Sequence, residues 1–254
     1  MSFINKKEIR KYVHTEQHHN MMAPNIVVPI VLELVNKVYP PLPQRINSVV
    51  DFGCGLGTWL RAFKENGISE ILGLDGEWCN TQLLFKNIDK EEFHCIDLEK
   101  PIVLEKPYDM AVSLEVAEHL SSEYADVFVQ SLINASKIIL FSAAIPKQTG
   151  FNHINEQYPT YWIEKFHKYG YVFHDVIRPK IWYNENIEFW YKQNIFIVTK
   201  EDVQIEAAKG IIYDLVHPEL FIKIQESPIT IKNAFITMKN AFSILLEAIK
   251  KRLY

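Results

Sequence analysis

Short apolar runs alternate with stretches of helical periodicity through the middle of the chain. The runs predict seven strands, at residues 48–52, 70–75, 91–97, 108–114, 137–143, 171–177 and 193–198. Apolar positions at three- and four-residue spacing predict helices between them, at 58–66, 121–135 and 158–169. Because strands that alternate with helices form βαβ units, we expect an α/β fold. Its sheet should be mostly parallel and seven-stranded, with helices on both faces.

Helical extensions are predicted on both sides of this core. Apolar residues recur with helical spacing from residue 24 to residue 38, and the sequence PPLP at 40–43 ends that helix because proline lacks the amide donor. Two or three further helices are predicted within 201–254. We therefore divide the chain into an N-terminal helical cap or lid at 1–44, a core at 45–200 and a C-terminal helical extension at 201–254.

The last predicted helix, at 234–253, has a broad apolar face and a basic end. Its cations Lys250, Lys251 and Arg252 suit the negative pole of the helix dipole. The apolar face fits three interpretations: packing against the core, a homodimer contact, or a helix that lies on a membrane surface.

The composition is that of an ordinary globular protein, with 48% hydrophobic and 23% charged residues among 254. A net charge of −4, with no basic stripe, argues against a nucleic-acid partner. No apolar run reaches the roughly 18–20 residues that a membrane-spanning helix needs. We therefore expect no membrane span.

The cysteines indicate a reducing compartment. Cys54, Cys79 and Cys95 show no CxxC spacing, so neither a disulfide framework nor a zinc ribbon is expected. The first twenty residues lack the apolar segment of a signal peptide. Together with a bias toward Ile, Lys and Asn, these features favour the cytoplasm of a bacterium.

A glycine-rich turn, DFGCGLGTW, follows the first predicted strand and opens a helix. Gly53, Gly55 and Gly57 lack a Cβ, so the backbone can turn tightly and a ligand can approach the main chain. Asp75 ends the next predicted strand, where a carboxylate can accept hydrogen bonds from both hydroxyls of a ribose. These features alone also fit a nicotinamide cofactor.

Acidic residues at other positions distinguish a nicotinamide cofactor from other nucleoside cofactors. Asp51 lies inside the strand before the glycines, where dinucleotide enzymes more often have an apolar residue or glycine, and the third predicted strand ends in Asp97-Leu98. The set DxGCGxGTW, LGLD, a further acid and YDMAVSLEVAEHL resembles the class I S-adenosylmethionine-dependent methyltransferases over about residues 45–200. The resemblance implies a Rossmann-like fold and S-adenosylmethionine as the cofactor.

The same resemblance implies which positions hold the cofactor. Asp51 would help to hold the methionine end, Asp75 the ribose, and Asp97 the adenine amino group. The full set of implied cofactor-binding residues is Asp51, Gly53, Cys54, Gly55, Gly57, Asp75, Gly76, Asp97, Leu98, Leu114 and Glu115. Two alternatives stay open: Asp97 as a cap or surface acid, and Gly57 as a helix–strand packing position.

The segment EVAEHL follows the fourth predicted strand and resembles the EHL stretch of many small-molecule methyltransferases. Glu115 and His119 are four residues apart, so a helical turn would place them on one face. Three roles stay open for these two residues and Glu118: stabilising the turn, acid–base catalysis, or binding a divalent metal. We count Glu115 and His119 among the catalytic candidates and assign no metal.

The polar and aromatic segment at 146–162 follows the fifth predicted strand, at the mouth of the crevice. Its run HINEQYPTYW resembles a subset of bacterial methyltransferases of capsule, O-antigen and other surface-glycan biosynthesis, as does the stretch HHNMMAP at 18–24. The resemblance implies a small polar acceptor, such as a sugar, a nucleotide-sugar or a related precursor of a surface polysaccharide.

A hydroxyl acceptor must lose its proton, and histidine supplies a base near neutral pH. His153 is the first candidate for that base, with Glu156 orienting it or binding acceptor hydroxyls; a structural loop histidine is the alternative. The polar and aromatic neighbours suit a polyol, although the aromatic residues fit the core equally well: Asn152, Asn155, Gln157, Tyr158, Tyr161 and Trp162. His18 and His19 form either a lid over the cofactor or a solvated segment.

Other acceptors and one non-enzymatic function remain open. A capsule phosphoramidate-type precursor would suit the same pathway, whereas a quinone or lipid would require an apolar pocket and a metal at Glu115, Glu118 and His119. A protein or RNA acceptor is disfavoured, because no Asn/Asp-Pro-Pro-Tyr motif follows the fourth strand. A cofactor-binding regulatory protein would bind S-adenosylmethionine without turnover.

Overall fold

The computed structural model describes residues 20–38, 45–203, 205 and 213–226. The chain divides into two compact units, residues 1–217 and residues 218–254. In the second unit the helix Pro218–Glu226 is described. The predicted helix stop at 40–43, the candidate lid residues His18 and His19, and the helix predicted at 234–253 all lie outside the described residues.

The first unit is built on one seven-stranded sheet, as the sequence predicts. The strands are β1 (Ser48–Phe52), β2 (Glu70–Asp75), β3 (Phe93–Cys95), β4 (Met110–Leu114), β5 (Ile138–Ser142), β6 (Tyr171–His174) and β7 (Phe196–Lys200). Their order is β3-β2-β1-β4-β5-β7-β6. All neighbouring pairs are parallel except those of β7, which runs antiparallel to both β5 and β6. The Rossmann-like, mostly parallel sheet is therefore confirmed.

Helices cover both faces of this sheet. They are α1 (Met22–Val35), α2 (Thr58–Glu65), α3 (Thr81–Leu84), α4 (Ala125–Ala135), α5 (Pro159–His167), α6 (Arg178–Ile181) and α7 (Phe189–Asn194); we call the helix of the second unit α8. Several predicted strands have wrong ends: the third ends at Cys95 instead of Asp97, and the sixth ends at His174 instead of Ile177. Glu91 and Glu92 belong to a 3-10 turn before β3, and Gln193 and Asn194 belong to α7 instead of the last strand.

Alternating strand positions supply two hydrophobic cores. Val49 faces the core that contains α1 and α2, whereas its neighbour Val50 faces the core that contains α4 and α5. Every residue of β4 and β5 is buried, which explains why the sequences of these strands are nearly continuous apolar runs. Helices on both faces are required because neither side of such strands tolerates water.

The strand order reverses between β1 and β4, and in open α/β sheets ligands bind beyond the carboxyl ends of the strands at such a point. The segments that follow β1, β2, β4 and β5 meet there. In the described part of the chain, no helix combines the length and apolar character needed to cross a bilayer.

Candidate functional site

The glycine loop after β1 adopts a backbone that side chains rarely allow. The φ angles of Gly53, Gly55 and Gly57 are 86°, 54° and 72°. A Cβ on Gly53 would lie 2.4 Å from a Cγ of Val116, so a larger residue would clash with the turn after β4. The Gly53 amide donates to the Leu74 carbonyl at 2.7 Å. The loop is therefore folded tightly over the end of β2, with its main chain in the crevice.

Gly57 also has a packing role. It is the N-cap residue of α2, and a Cβ there would lie 2.8 Å from a methyl group of Leu84 in α3. Its amide donates to the Cys54 carbonyl at 2.8 Å. The packing alternative for Gly57 thus has a direct structural basis, alongside its place in the loop.

Asp75 ties the loop to the end of β2. One of its carboxylate oxygens accepts the Gly55 amide at 2.8 Å, and the other accepts the Gly76 amide at 2.7 Å. The Trp78 indole also donates to this carboxylate and lies against Gly76, where a Cβ would come within 2.3 Å of the ring. Burial raises the pKa of Asp75, and these three donors partly offset the increase.

Asp51 lies beside this carboxylate and is only 3% exposed. Burial, reinforced by the negative charge of Asp75, raises the pKa of Asp51 well above its usual value. Cys54 and Cys79 are buried free thiols nearby, and the Cys79 thiol donates to the Gly55 carbonyl at 3.1 Å. Two buried acids therefore form the floor of the crevice.

These features fit S-adenosylmethionine as a ligand. Its positive charges would compensate the buried acids, since burying a charge is costly unless the charge is paired. The glycines of the loop have positive φ angles and no side chain, so a ligand can approach the main chain closely. Asp75 can accept further hydrogen bonds from the ligand, because each carboxylate oxygen accepts more than one.

The predicted adenine edge is more exposed than the ribose acid. Asp97 is exposed, accepts the Glu99 amide at 3.0 Å and lies 3.2 Å from the Lys100 ammonium. Leu98 and Leu114, by contrast, are 2% and 8% exposed. Asp97 therefore caps its own turn, and its contact with adenine stays a prediction.

Glu115 is held in a strained, fully engaged position. Its φ is 56°, and its amide donates to the Ser142 hydroxyl at 3.0 Å. Gln148 and Asn194 donate side-chain hydrogen bonds to its carboxylate, at 2.6 and 3.0 Å. Burial raises the pKa of Glu115, and these donors partly offset the increase. The expectation that one helical turn aligns Glu115 with His119 is wrong. Glu115 has a left-handed backbone, and a 3-10 turn that ends at His119 follows it instead of an α-helix.

The clamp on Glu115 belongs to a buried amide network that the sequence did not reveal. Asn194 donates to the Gln148 carbonyl oxygen at 2.9 Å, and Gln193 donates to the Asn194 carbonyl oxygen at 3.0 Å. The backbone amide of His217 donates to Gln193 at 2.8 Å. The only available signal was the polar pair Gln193-Asn194 directly before an apolar strand. We call Glu115, Gln148, Gln193 and Asn194 the amide network.

Glu118 is fully buried without a hydrogen bond to either carboxylate oxygen among the described residues. Burial, followed by the charge of Glu115, raises the pKa of Glu118 well above its usual value. Its backbone carbonyl accepts the amides of Ile154 and Asn155 at 2.9 and 3.0 Å. The turn after β4 is thereby joined to the loop after β5.

His153 and Glu156 meet in that loop, as the sequence hypothesis requires. The Nδ1 atom of His153 lies 3.0 Å from Oε1 of Glu156, which also accepts the Thr149 amide at 2.6 Å, and Oε2 of Glu156 accepts the Lys147 amide at 2.9 Å. The ring of His119 packs edge-on against His153, with centroids 4.8 Å apart. The other ring nitrogen of His153 lies 4.0 Å from Glu118. We call Glu118, His119 and His153 the Glu-His-His cluster.

The aromatic residues that are candidates for stacking on a sugar differ in their solvent exposure. Trp162 is 1% exposed and packs against Phe141 with centroids 5.5 Å apart, so it belongs to the core and cannot stack on a sugar. Tyr161 is half-buried and lies under the ammonium of Lys165. Tyr158 is 44% exposed and remains accessible to a ligand.

Comparison with known proteins yields one family match. A family model described as a methyltransferase domain matches residues 23–142, from the second residue of α1 to the end of β5. No curated protein matches the chain significantly.

Solved structures share the fold at low identity. PKMT2 from Rickettsia typhi, solved in complex with AdoHcy, is 15% identical over 75% of this chain and 56% of its own, with a TM-score of 0.53. The small RNA methyltransferase HEN1 is 16% identical over 78% of this chain and 28% of its own, with a TM-score of 0.51. Streptomyces venezuelae DesVI is 19% identical over 50% of this chain and 54% of its own, with a TM-score of 0.41. This chain thus spans about half or less of these proteins.

Proposed function

We propose that this chain is a class I S-adenosylmethionine-dependent methyltransferase, as the methyltransferase-domain match at residues 23–142 supports, and that it methylates a hydroxyl group of a small polar acceptor. The acceptor is a sugar, a nucleotide-sugar or a related precursor of a surface polysaccharide. The observation that carries the proposal is the His153–Glu156 pair at the mouth of the crevice, beside the amide network.

The cofactor half of the crevice consists of the loop after β1 and the end of β2. There the glycine backbone, Asp51 and Asp75 would hold S-adenosylmethionine, with Trp78 adjacent to the ribose acid. When bound, S-adenosylmethionine supplies a sulfonium methyl group, which is a strong methyl donor. The protein has little covalent chemistry to perform, so alignment of acceptor and methyl group supplies most of the rate enhancement.

The acceptor half must remove a proton from the hydroxyl. Glu156 can only accept hydrogen bonds as a carboxylate, so the Nδ1 atom of neutral His153 carries the proton and its Nε2 atom is the basic nitrogen. This nitrogen takes the hydroxyl proton while the oxygen forms its bond to the methyl carbon and the carbon–sulfur bond breaks. Glu156 therefore orients the base, and hydrogen bonds from two backbone amides hold Glu156 in place.

Glu115 is better suited to positioning than to catalysis. Its carboxylate oxygens already accept hydrogen bonds from Gln148 and Asn194, so it holds the amide network beside the acceptor. The partly exposed pair His153 and Glu156 favours a polyol over a quinone or lipid, because an apolar ligand would leave the Nε2 atom of His153 without a polar partner.

Methyl transfer from labelled S-adenosylmethionine to a panel of nucleotide-sugars, free sugars and quinols tests the proposal. Turnover on a sugar-containing acceptor is expected, and His153→Gln should lower kcat while leaving the Kd for S-adenosylhomocysteine unchanged. Turnover on quinols alone would overturn the acceptor class. Tight cofactor binding without turnover on any acceptor would favour a regulatory protein.

A further inference from the structure

We propose that the Glu-His-His cluster binds a divalent transition-metal cation at the acceptor side of the crevice. The first observation is Glu118, which is fully buried while both of its carboxylate oxygens lack a hydrogen-bond partner among the described residues. Buried polar groups are nearly always hydrogen-bonded, and a buried charge is normally paired or bound to a metal. An orphaned buried carboxylate that faces two imidazoles needs a cationic partner.

The second observation is the geometry of the cluster. One donor atom from each of Glu118, His119 and His153 lies within 4.8 Å of the others. Metal–ligand bonds of about 2.0–2.2 Å place neighbouring donors about 3 Å apart, so modest side-chain rotations close the cluster around an ion. The side chain of His153 is 11% exposed, so the site is sheltered yet reachable from the crevice.

The third observation is the partner of His153. Metal-binding histidines usually donate their second ring N–H to a carboxylate, which fixes the tautomer and the ring orientation. Glu156 provides that carboxylate at Nδ1, which leaves the lone pair on Nε2, and Nε2 lies 4.0 Å from a carboxylate oxygen of Glu118. Without an ion, an imidazole lone pair and a buried carboxylate would lie close together with no cation between them.

The donor set identifies the class of metal. Imidazole nitrogens suit Zn²⁺, Fe²⁺, Ni²⁺ or Cu²⁺, whereas Mg²⁺, Ca²⁺ and Mn²⁺ suit sites made of oxygen ligands. Two histidines and one carboxylate leave coordination positions open, as in catalytic sites that admit substrate. The ligand set differs from the one expected from the EVAEHL segment, because Glu115 is engaged elsewhere and His153 takes its place.

The proposed role of the cation rests on the proposed function. An acceptor hydroxyl at an open coordination position would have a lower pKa, so that it would release its proton to solvent water more readily. In the metal-loaded protein Nε2 of His153 is a ligand, and the cation replaces the imidazole as the group that activates the hydroxyl. Cation binding itself requires no acceptor, so it is tested separately from methyl transfer.

The test is titration of chelator-treated full-length protein with Co²⁺, followed by its visible d–d absorption and by calorimetry. The parent should bind one ion per chain. Glu118→Gln keeps the shape of the buried side chain and should weaken binding more than the about 10–100-fold typical of an outer-shell change. Glu156→Gln changes only the partner of a ligand, so it should weaken Co²⁺ binding by about 10–100-fold. The matched control His167→Gln removes an exposed histidine of α5 and should bind Co²⁺ like the parent.

The result that overturns the site is a parent without the Co²⁺ spectrum, or equal affinity in parent and Glu118→Gln. Thermal melts guard against misfolded variants, because Glu118→Gln removes an unpaired buried charge and should melt no lower than the metal-free parent. If Co²⁺ binds as expected while no sugar is methylated, the result supports the metal site and contradicts the proposed acceptor.

Discussion

Trp78 is the residue through which cofactor binding should become visible. Its indole bonds to Asp75 and covers Gly76, so it uses the carboxylate that ribose hydroxyls would need. Bound S-adenosylhomocysteine should therefore displace the indole and change the tryptophan fluorescence. Trp78→Phe should lose that change while calorimetry still detects binding. An unchanged signal in the variant would assign the effect to one of the other tryptophans.

Gly150 controls the position of the proposed base. A Cβ there would lie 2.1 Å from Nε2 of His153, although the backbone of Gly150 is not left-handed. Gly150→Ala should push the imidazole aside and lose much of the about 10²–10⁴-fold that a positioned acid–base group contributes. Steady-state methyl transfer to the acceptor found in the panel measures the fall in kcat. The Kd for S-adenosylhomocysteine should not change, and a lowered kcat with a weakened Kd would indicate a wider distortion.

At this scale the sequence located residues whose neighbours are close in the chain. His153 and Glu156 are three apart, and the glycines are next to Asp51, so motif and spacing were enough to propose them. Gln148 and Asn194 lie 46 residues apart and meet only in the folded protein. No local pattern distinguishes such amides from surface ones.

Among the structural elements, α7 stabilises the turn after β4. Asn194, its last residue, donates to both Glu115 and Gln148. Asn194→Ala should leave the buried carboxylate underpaired, which costs about 1–3 kcal/mol of the free energy of unfolding. Urea unfolding measures the loss, and the exposed Asn186→Ala is the matched control, with an expected change within about 0.5 kcal/mol. Equal stability of the two variants would contradict the role of the clamp.

The elements themselves were predictable where a pattern was long enough. Apolar runs identified β1, β2, β4 and β5 because these strands are buried on both faces. The helices α3, α6 and α7 have four to six residues, too few for a 3.6-residue period to show. That limit also explains the misassignment of Gln193 and Asn194 to the last strand.

At the scale of the whole molecule, the reversal of strand order divides the crevice into two halves. Residues after β1 and β2 form the cofactor half, and segments after β4 and β5 together with α7 form the acceptor half. The cofactor half could be predicted because its motif is contiguous. The acceptor half could be predicted only in part, because three separate segments build it.

This division predicts that cofactor binding and acceptor activation can be separated by mutation. S-adenosylhomocysteine at 100 times its Kd should stabilise the parent by about 2.7 kcal/mol, or raise Tm by about 5–10 °C. Asp75→Asn loses hydrogen bonds worth about 1.5–3 kcal/mol, which weakens binding roughly ten- to a hundredfold and leaves between about a half and a sixth of that shift at the same ligand concentration.

His153→Gln alters the acceptor half alone, so it should show the full Tm shift of the parent at the same ligand concentration. Asp202→Asn, an exposed ion-pair partner of Lys137 near the start of β5, is the control for loss of an acid outside the crevice and should also keep the full shift. Differential scanning calorimetry of the four proteins measures all these shifts. A reduced shift in His153→Gln would mean that the loop after β5 contacts the cofactor, and that His153 contributes to binding as well as to proton removal.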